Sequence, residues 1–261
     1  YQPQVCLSRL EVTSVEALLR WKQNDSTIVS AGDFISIAEQ SGLMLDLNDW
    51  ILGQAARDVR AWRKAGWANA RVAINVSAQQ VMSGDFVGEI ERLLLHHELP
   101  ADAIELELTE NTLQTGAITV ESLRALRMLG VATALDDFGT GYSSLTSIEQ
   151  LPLSRVKLDR SVLAEVDSNP RAASIANSIV ALCRSLGLRV TIEGVERVTQ
   201  LDFLSTSGDV DVQGFLVARP SDAAGVLEAV AHMRTRVRAL LAAAARIRVE
   251  DLPGDPDGTI R

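Results

Sequence analysis

The chain has 261 residues, of which 47% are hydrophobic and 23% charged, with a formal net charge of −9 at pH 7. This length is typical of one α/β barrel, which has roughly 250 residues, so we expect a single domain. The negative charge excludes a long nucleic acid as a partner attracted by the overall field. Cys6 and Cys183 are far apart and lack the spacing of a metal or disulfide motif, which indicates a reducing, cytoplasmic setting.

The sequence predicts no membrane-spanning segment, because no apolar run approaches the roughly 18 residues that a bilayer requires. We therefore expect no membrane contact by this chain. It opens at Tyr1 without a Met or a signal segment, so we expect it to be part of a longer protein that carries additional regulatory domains. The expected location is cytoplasmic, either free or as the cytoplasmic part of a membrane-anchored protein.

Short apolar runs alternate with longer segments of helical periodicity, and this alternation is typical of parallel strands joined by crossover helices. The predicted strands are Gln4–Leu10, Val15–Leu19, Val72–Val76, Ile104–Thr109, Ala132–Asp136, Arg155–Asp159, Arg189–Ile192 and Asp211–Val217. The predicted helices are Asp33–Gln40, Leu47–Lys64, Asp85–His97, Val120–Leu129, Ala172–Leu186, Val198–Leu204 and Ala223–Ile247. Eight predicted strands alternating with helices predict an α/β fold of the TIM-like (β/α)8 barrel class.

Two glycines and the chain terminus delimit these elements. Gly130 and Gly187 each fall between a predicted helix and a predicted strand, where a left-handed cap allows the chain to reverse. The last helix should end near Ile247, and residues 248–261 lack periodicity, so we expect a domain over 1–247 followed by a disordered tail.

Polar side chains occur at or near the end of almost every predicted strand. They are Glu16, Asn75, Glu107, Asp136, Asp137, Lys157, Asp159, Glu193 and Gln213. The carboxyl ends of parallel barrel strands share one rim, so these groups should converge there, and this rim is where barrel enzymes carry out their chemistry. Alternation along the strand places Glu105 and Glu107 on one face and the neighbouring leucines on the other.

Clustered carboxylates repel one another in partly dry surroundings and require cations for compensation. The converging donors are carboxylate and amide oxygens, with no His or Cys among them, and such oxygens favour Mg²⁺ or Mn²⁺ over zinc. For any single acid, a buried ion pair or a solvated rim position is the better interpretation. For the whole set we favour a metal site with more than one ion.

At these residues the chain resembles the EAL-domain cyclic di-GMP phosphodiesterases, from Tyr1 to about Pro220. The motifs that carry the resemblance are Tyr1-Gln2-Pro3, Glu16-Ala17-Leu18-Leu19-Arg20-Trp21, Ile74-Asn75-Val76-Ser77, Glu107-Leu108-Thr109-Glu110, Asp136-Asp137-Phe138-Gly139-Thr140-Gly141, Lys157-Leu158-Asp159, Glu193-Gly194-Val195-Glu196 and Gln213-Gly214-Phe215.

This resemblance implies a modified barrel with one antiparallel strand that cleaves cyclic di-GMP to linear pGpG, using two Mg²⁺ or Mn²⁺ ions and an activated water. Ca²⁺ is expected to inhibit, because it is larger and more flexibly coordinated. The implied ligands of the first ion are Glu16, Asn75, Glu107 and Asp136. Those of the second are Asp136, Asp137 and Glu193, supported by Asp159. Lys157 is expected to orient the water, and Glu193 is the family's proposed general base.

The resemblance also assigns substrate contacts and a dimer contact. Arg20, Gln2, Leu18 and Gln213 are the expected substrate-binding residues. The segment Asp137–Ser144 is expected to lie near a homodimer contact, with Glu110 as its anchor. The stretch Lys22-Gln23-Asn24-Asp25, with Ala31 and Ser36, departs from the family pattern on the substrate side.

Two other functions compete with this one. A catalytically silent receptor would bind cyclic di-GMP without cleaving it, and the complete set of predicted ligands argues against that possibility. An unrelated metal-dependent barrel enzyme would require a base on a different strand, and no feature of the sequence favours it.

Overall fold

The computed structural model describes residues 1–77, 80–81, 85–109, 117–139, 148 and 151–250. The strands are β1 (Gln2–Cys6), β2 (Glu11–Ala17), β3 (Arg20–Lys22), β4 (Ile28–Ser30), β5 (Val72–Val76), β6 (Ile104–Thr109), β7 (Ala132–Phe138), β8 (Arg155–Leu158), β9 (Arg189–Ile192) and β10 (Asp211–Val212). The helices are α1 (Ala31–Gln40), α2 (Met44–Lys64), α3 (Phe86–His97), α4 (Ala117–Leu129), α5 (Pro170–Ser185), α6 (Val198–Ser205) and α7 (Ala223–Glu250).

Eight of the strands close into a barrel in the order β1-β10-β9-β8-β7-β6-β5-β2. Strand β1 runs antiparallel to both of its neighbours, with Gln2 opposite Glu16 and Val5 opposite Val212, whereas the other neighbouring pairs are parallel. The predicted fold class is therefore confirmed, including the one antiparallel strand. The parallel strands place their carboxyl ends on one rim.

Several predicted boundaries differ from the observed ones for local reasons. Strand β10 stops at Val212 instead of Val217, because the chain then turns back against Val195, which donates a backbone hydrogen bond to the Gln213 carbonyl at 3.1 Å. The β3–β4 hairpin was not predicted, since its three-residue strands are mostly exposed and show no apolar alternation. Gly130 and Gly187 have the predicted positive φ, at 95° and 75°.

The terminal helix α7 packs against the barrel. Its residues Val226, Met233 and Val237 are buried, and the Trp62 indole donates a 2.9 Å hydrogen bond to the Ala223 carbonyl. The helix continues to Glu250, and residues 251–261 of the predicted tail lie outside the described ranges. Within those ranges, no helix combines the length and apolar character needed to cross a membrane.

A buried charged layer fills the barrel below the rim. The Arg155 guanidinium lies 2.8 Å from Glu105 and 2.5 Å from Asp211, and it donates to the Thr191 hydroxyl at 2.6 Å. Burial lowers the pKa of Arg155, but the charges of Glu105 and Asp211 outweigh burial, and the net pKa is raised. Arg155 is therefore charged and holds the two carboxylates together.

We predict that Arg155→Met destabilises the fold by about 3–5 kcal/mol, because it leaves two buried carboxylates without their shared cation. Urea unfolding at pH 7 measures the loss. The matched control is Arg171→Met on the exposed face of α5, which should change the free energy of unfolding by less than about 0.5 kcal/mol. Equal stability of the two variants would contradict this role for Arg155.

Candidate active site

The predicted rim residues converge on one buried ammonium group. The Nζ atom of Lys157 on β8 lies 2.6 Å from Glu193, 2.9 Å from Glu107, 3.1 Å from Asp136 and 3.4 Å from Glu16. The Lys157 side chain is fully buried, and the four carboxylates come from β2, β6, β7 and the turn after β9. Five strands or their ends thus supply one cluster, as expected when parallel strands end at a common rim.

The carboxylates form two groups that share one member. Oxygens of Glu16, Glu107 and Asp136 lie within 4.8 Å of one another, and so do oxygens of Asp136, Asp137 and Glu193. A metal ion requires its ligand oxygens to approach one point at this scale. Each group has the geometry of a cation site, and Asp136 belongs to both.

Two adjacent acids of β7 reach the same rim because the strand is irregular there. In a regular strand, the side chains of Asp136 and Asp137 would point to opposite faces. Here the β7–β8 register shifts between Leu135 and Phe138, and Asp137 adopts a left-handed φ of 57°, a conformation that Asp tolerates better than most residues. The Asp137 amide donates to the Asp136 carboxylate at 2.9 Å. This bulge is what allows both acids to join one cluster.

Amide side chains hold Glu16 from two sides. Asn75 Nδ2 donates to one Glu16 oxygen at 3.0 Å, and Gln213 Nε2 donates to the other at 2.6 Å and to Gln2 at 3.2 Å. Gln2 in turn donates to the Ala218 carbonyl at 3.0 Å. Gln213 Oε1 is buried and has no hydrogen-bond partner among the described residues, so it can accept a bond from a water or a ligand.

Glu107 is held by a residue that the sequence analysis did not single out. One of its oxygens accepts from Lys157 at 2.9 Å and the other from Gln4 Nε2 at 3.4 Å. Gln4 and its strand partner Ser14 are both completely buried, and Ser14 Oγ donates to Gln4 Oε1 at 2.7 Å. The sequence feature that could have identified them is the presence of Gln4 and Ser14 within two predicted or observed strands, where inward-facing residues are more often apolar.

Four members of the cluster have raised pKa values. Burial and the charge of Glu16 raise the pKa of Glu107 well above its usual range. Burial raises the pKa of Glu193 to about 7 despite the nearby Lys157 ammonium, and burial with the Asp136 charge raises the pKa of Asp137. Burial alone lowers the pKa of Lys157, but the surrounding carboxylates prevail and raise it well above its usual range.

The pKa of Glu16 is lowered, because both of its oxygens accept hydrogen bonds and the Lys157 ammonium is close. Burial raises its pKa, but the Lys157 charge and the hydrogen bonds from Gln213 and Asn75 outweigh burial and lower the pKa overall. Glu16 is therefore a carboxylate, ready to bind a cation. The cluster as a whole has more acid groups than Lys157 can compensate, which is the electrostatic condition for binding divalent cations.

The structure does not bring every predicted residue into the two groups. The Asp159 carboxylate accepts a 2.8 Å bond from the Ser161 amide and caps the short 3₁₀ helix Arg160–Leu163, while its charge acts on Asp137 only from a distance. Glu110 and residues 140–144 of the predicted dimer loop lie outside the described residues.

The predicted substrate contacts Leu18 and Arg20 line a cavity of about 530 Å³ beside the rim. Its other walls come from α2 and from the segment before α7, including Trp50 and Pro220. This volume lies in the range of small-molecule sites, which is roughly 300–1,000 Å³. One wall of the cavity is Ala17, which follows the rim residue Glu16 in the chain.

Fold and site together define a closed α/β barrel with two groups of carboxylates at its rim that could hold cations. The sequence model of the EAL domain family matches residues 1–220 of this chain. The chain belongs to the EAL domain family, which confirms the resemblance drawn from its motifs.

The chain is similar over most of its length to known members. It is 38% identical over 232 residues, 88% of the chain, to the bifunctional diguanylate cyclase/cyclic di-GMP phosphodiesterase MucR of Pseudomonas aeruginosa. It is 37% identical over 224 residues, 85% of the chain, to the cyclic di-GMP phosphodiesterase PdeR of Escherichia coli. The chain spans 34% of the length of each of these two relatives.

Solved structures agree with the fold. A MucR phosphodiesterase in complex with cyclic di-GMP superposes with a TM-score of 0.81 at 38% identity, covering 87% of this chain and 92% of that one. The EAL domain of DcpA from Mycobacterium smegmatis gives a TM-score of 0.73 at 30% identity, covering 90% of this chain and 95% of that one.

We predict that Lys157→Met destabilises the metal-free protein by about 3–5 kcal/mol at pH 8, because four carboxylates then face one another without a cation. The loss should be smaller at pH 5, since carboxyls with raised pKa values take up protons as the pH falls and the repulsion is relieved. Added Mg²⁺ should restore more stability to the variant than to the wild type.

Urea unfolding with EDTA or Mg²⁺ measures these differences. Lys64→Met, at the exposed end of α2, is the matched control and should respond to neither pH nor Mg²⁺ differently from the wild type. A Lys157→Met protein that is as stable as the control in EDTA would show that Lys157 is not the neutralising group.

Proposed function

We propose that this domain hydrolyses cyclic di-GMP to linear pGpG in a reaction that requires two divalent cations, Mg²⁺ or Mn²⁺. The observation that carries the proposal is the pair of three-carboxylate groups that share Asp136. The family membership and the relatives named as cyclic di-GMP phosphodiesterases support the choice of substrate. Oxygen-only ligands support the choice of metal.

The proposed ligand sets follow the two groups. Glu16, Glu107 and Asp136 would hold the first cation, with the amide oxygen of Asn75 as a fourth ligand, since its nitrogen is engaged with Glu16. Asp136, Asp137 and Glu193 would hold the second. Asp159 would support the second site indirectly, because its carboxylate already caps a helix.

When bound, two such cations would activate water at neutral pH and stabilise the charge that develops on the transferred phosphate. Lys157 would orient the attacking water with its ammonium, which already lies within hydrogen-bond distance of Glu193. Glu193 is the most exposed of the four carboxylates around Lys157, at 22%, so water can reach it, and it would serve as the general base.

The substrate would be recognised beside this rim. Arg20 can pair with phosphate oxygens or a guanine edge, and Leu18 supplies an apolar wall in the adjacent cavity. Gln213 can accept a ligand hydrogen bond through its free oxygen, and Gln2 orients the Gln213 amide. The cations would also offset the net charge of −9, which otherwise repels a dianionic dinucleotide.

Further features of the proposal concern assembly and context. We propose that the domain forms a homodimer through the Asp137–Ser144 segment with Glu110 as its anchor. Because the chain spans about a third of the length of these relatives, we propose that the full-length protein has regulatory domains. We also propose a cytoplasmic location.

We predict that Glu16→Gln lowers the turnover of cyclic di-GMP at least about a hundredfold, because a neutral amide replaces a charged ligand. Chromatography of the products with Mg²⁺ or Mn²⁺ measures pGpG directly. Glu121→Gln on the exposed face of α4 is the matched control and should keep full activity. EDTA should abolish turnover by the wild type.

The same assay separates the competing functions. Tight calorimetric binding of cyclic di-GMP without any product, at high protein concentration and with several metals, would indicate a receptor domain. The absence of both binding and product would reject cyclic di-GMP as the ligand.

We predict that Ca²⁺ in excess over Mg²⁺ inhibits turnover, because Ca²⁺ prefers longer bonds and more ligands than an octahedral Mg²⁺ site provides. Product formation at fixed Mg²⁺ and rising Ca²⁺ measures this. Full activity with Ca²⁺ as the only divalent ion would contradict the proposed geometry.

A further inference from the structure

Gln4 and Ser14 form a buried polar pair directly beside the candidate metal ligand Glu107. They are opposite one another in the β1–β2 register, and both are fully buried. The register of β1 shifts between Gln4 and Val5, and such bulges redirect side chains. Burying polar groups costs free energy unless they are hydrogen-bonded, so we expect the hydrogen bonds of this pair to have a role that apolar residues could not fill.

The pair is connected in a fixed direction. Ser14 Oγ donates to Gln4 Oε1 at 2.7 Å, and Gln4 Nε2 points to Glu107 Oε1 at 3.4 Å. A glutamine amide has an acceptor at one end and donors at the other. The Glu107 carboxylate can only accept, so the donor end of the Gln4 amide faces Glu107 and its acceptor end faces the Ser14 hydroxyl. A reversed amide would place its oxygen against the Glu107 carboxylate and lose that bond.

Glu107 depends on this contact because it is fully buried. Its other oxygen, Oε2, binds Lys157 at 2.9 Å, and among the described residues Gln4 is the only side-chain hydrogen-bond donor to Oε1. Two donors at the two oxygens fix the rotation of the carboxylate plane. Outer contacts of this kind orient metal ligands and tune cation affinity.

We propose that Gln4 and Ser14 form a positioning relay, in which Ser14 orients the Gln4 amide and Gln4 orients Glu107 for the first cation. The inference rests on the metal sites of the proposed function. Neither residue touches a reacting atom, so they act on cation affinity through Glu107. Gln4 comes from β1 and Ser14 from β2, so the antiparallel strand β1 would contribute to the metal site without supplying a ligand.

The test is Mn²⁺ binding by calorimetry in the absence of substrate. Glu107→Gln first identifies the binding step that involves Glu107. Ser14→Ala and Gln4→Leu should each weaken that step by roughly tenfold. The double variant should be no weaker than Gln4→Leu alone, because Ser14 acts only through Gln4. Ser14→Thr keeps the hydroxyl and should bind Mn²⁺ as the wild type does.

Thr133→Val is the matched control, since it removes another buried barrel hydroxyl, which bonds the Pro152 carbonyl and does not touch the cluster. It should lower stability without weakening Mn²⁺ binding. If Gln4→Leu does not fold, the comparison of Ser14→Ala with Ser14→Thr decides the question.

Three results would overturn the relay. They are Mn²⁺ affinities of Ser14→Ala and Gln4→Leu within twofold of the wild type, additive losses in the double variant, and an equal loss in Thr133→Val. A wild type that binds Mn²⁺ but forms no pGpG would reject the proposed function. The Mn²⁺ affinities of the variants would still test the relay in that case. A wild type that binds no Mn²⁺ would overturn both.

Discussion

The buried ammonium of Lys157 is the interaction on which the rim of this barrel depends. Four carboxylates surround it within 3.4 Å, and one positive charge cannot compensate four acids in a dry environment. Burial, together with the neighbouring carboxylate charges, raises the pKa values of Glu107, Glu193 and Asp137. A fold that keeps this imbalance is prepared for divalent cations, which add the missing charge at the points where the carboxylate groups converge.

Strand β8 supplies a cation to each of two layers of buried charges. Arg155 and Lys157 are two residues apart on β8 and therefore share its inward face. Arg155 and Arg189 together match Glu105 and Asp211, so the lower layer has two charges of each sign and stabilises the closed barrel. Lys157 faces four carboxylates, so the upper layer keeps an excess of negative charge. The architecture thus separates a balanced ion-pair layer from a carboxylate-rich layer at the rim within the same interior.

Local irregularities then adjust the upper layer for chemistry. The bulge in β7 and the left-handed Asp137 allow one strand to supply carboxylates to both groups. The irregularity in β1 is adjacent to Gln4, which contacts Glu107. Regular strands would place alternate residues on opposite faces, so a two-cation site in a barrel requires such departures. The EAL domain family membership is consistent with a rim specialised in this way.

The sequence by itself determined the barrel class, because strand and helix periods are local properties: Val72–Val76, Ile104–Thr109 and Arg189–Ile192 were predicted with their observed bounds. It also determined which acids meet, since the carboxyl ends of parallel strands share a rim. Only the tertiary structure decided how they meet. Lys157 as the common partner, Asp159 as a helix cap and the contact of Gln4 with Glu107 depend on side chains from strands distant in sequence. Their distances follow from register and barrel closure, which periodicity does not encode.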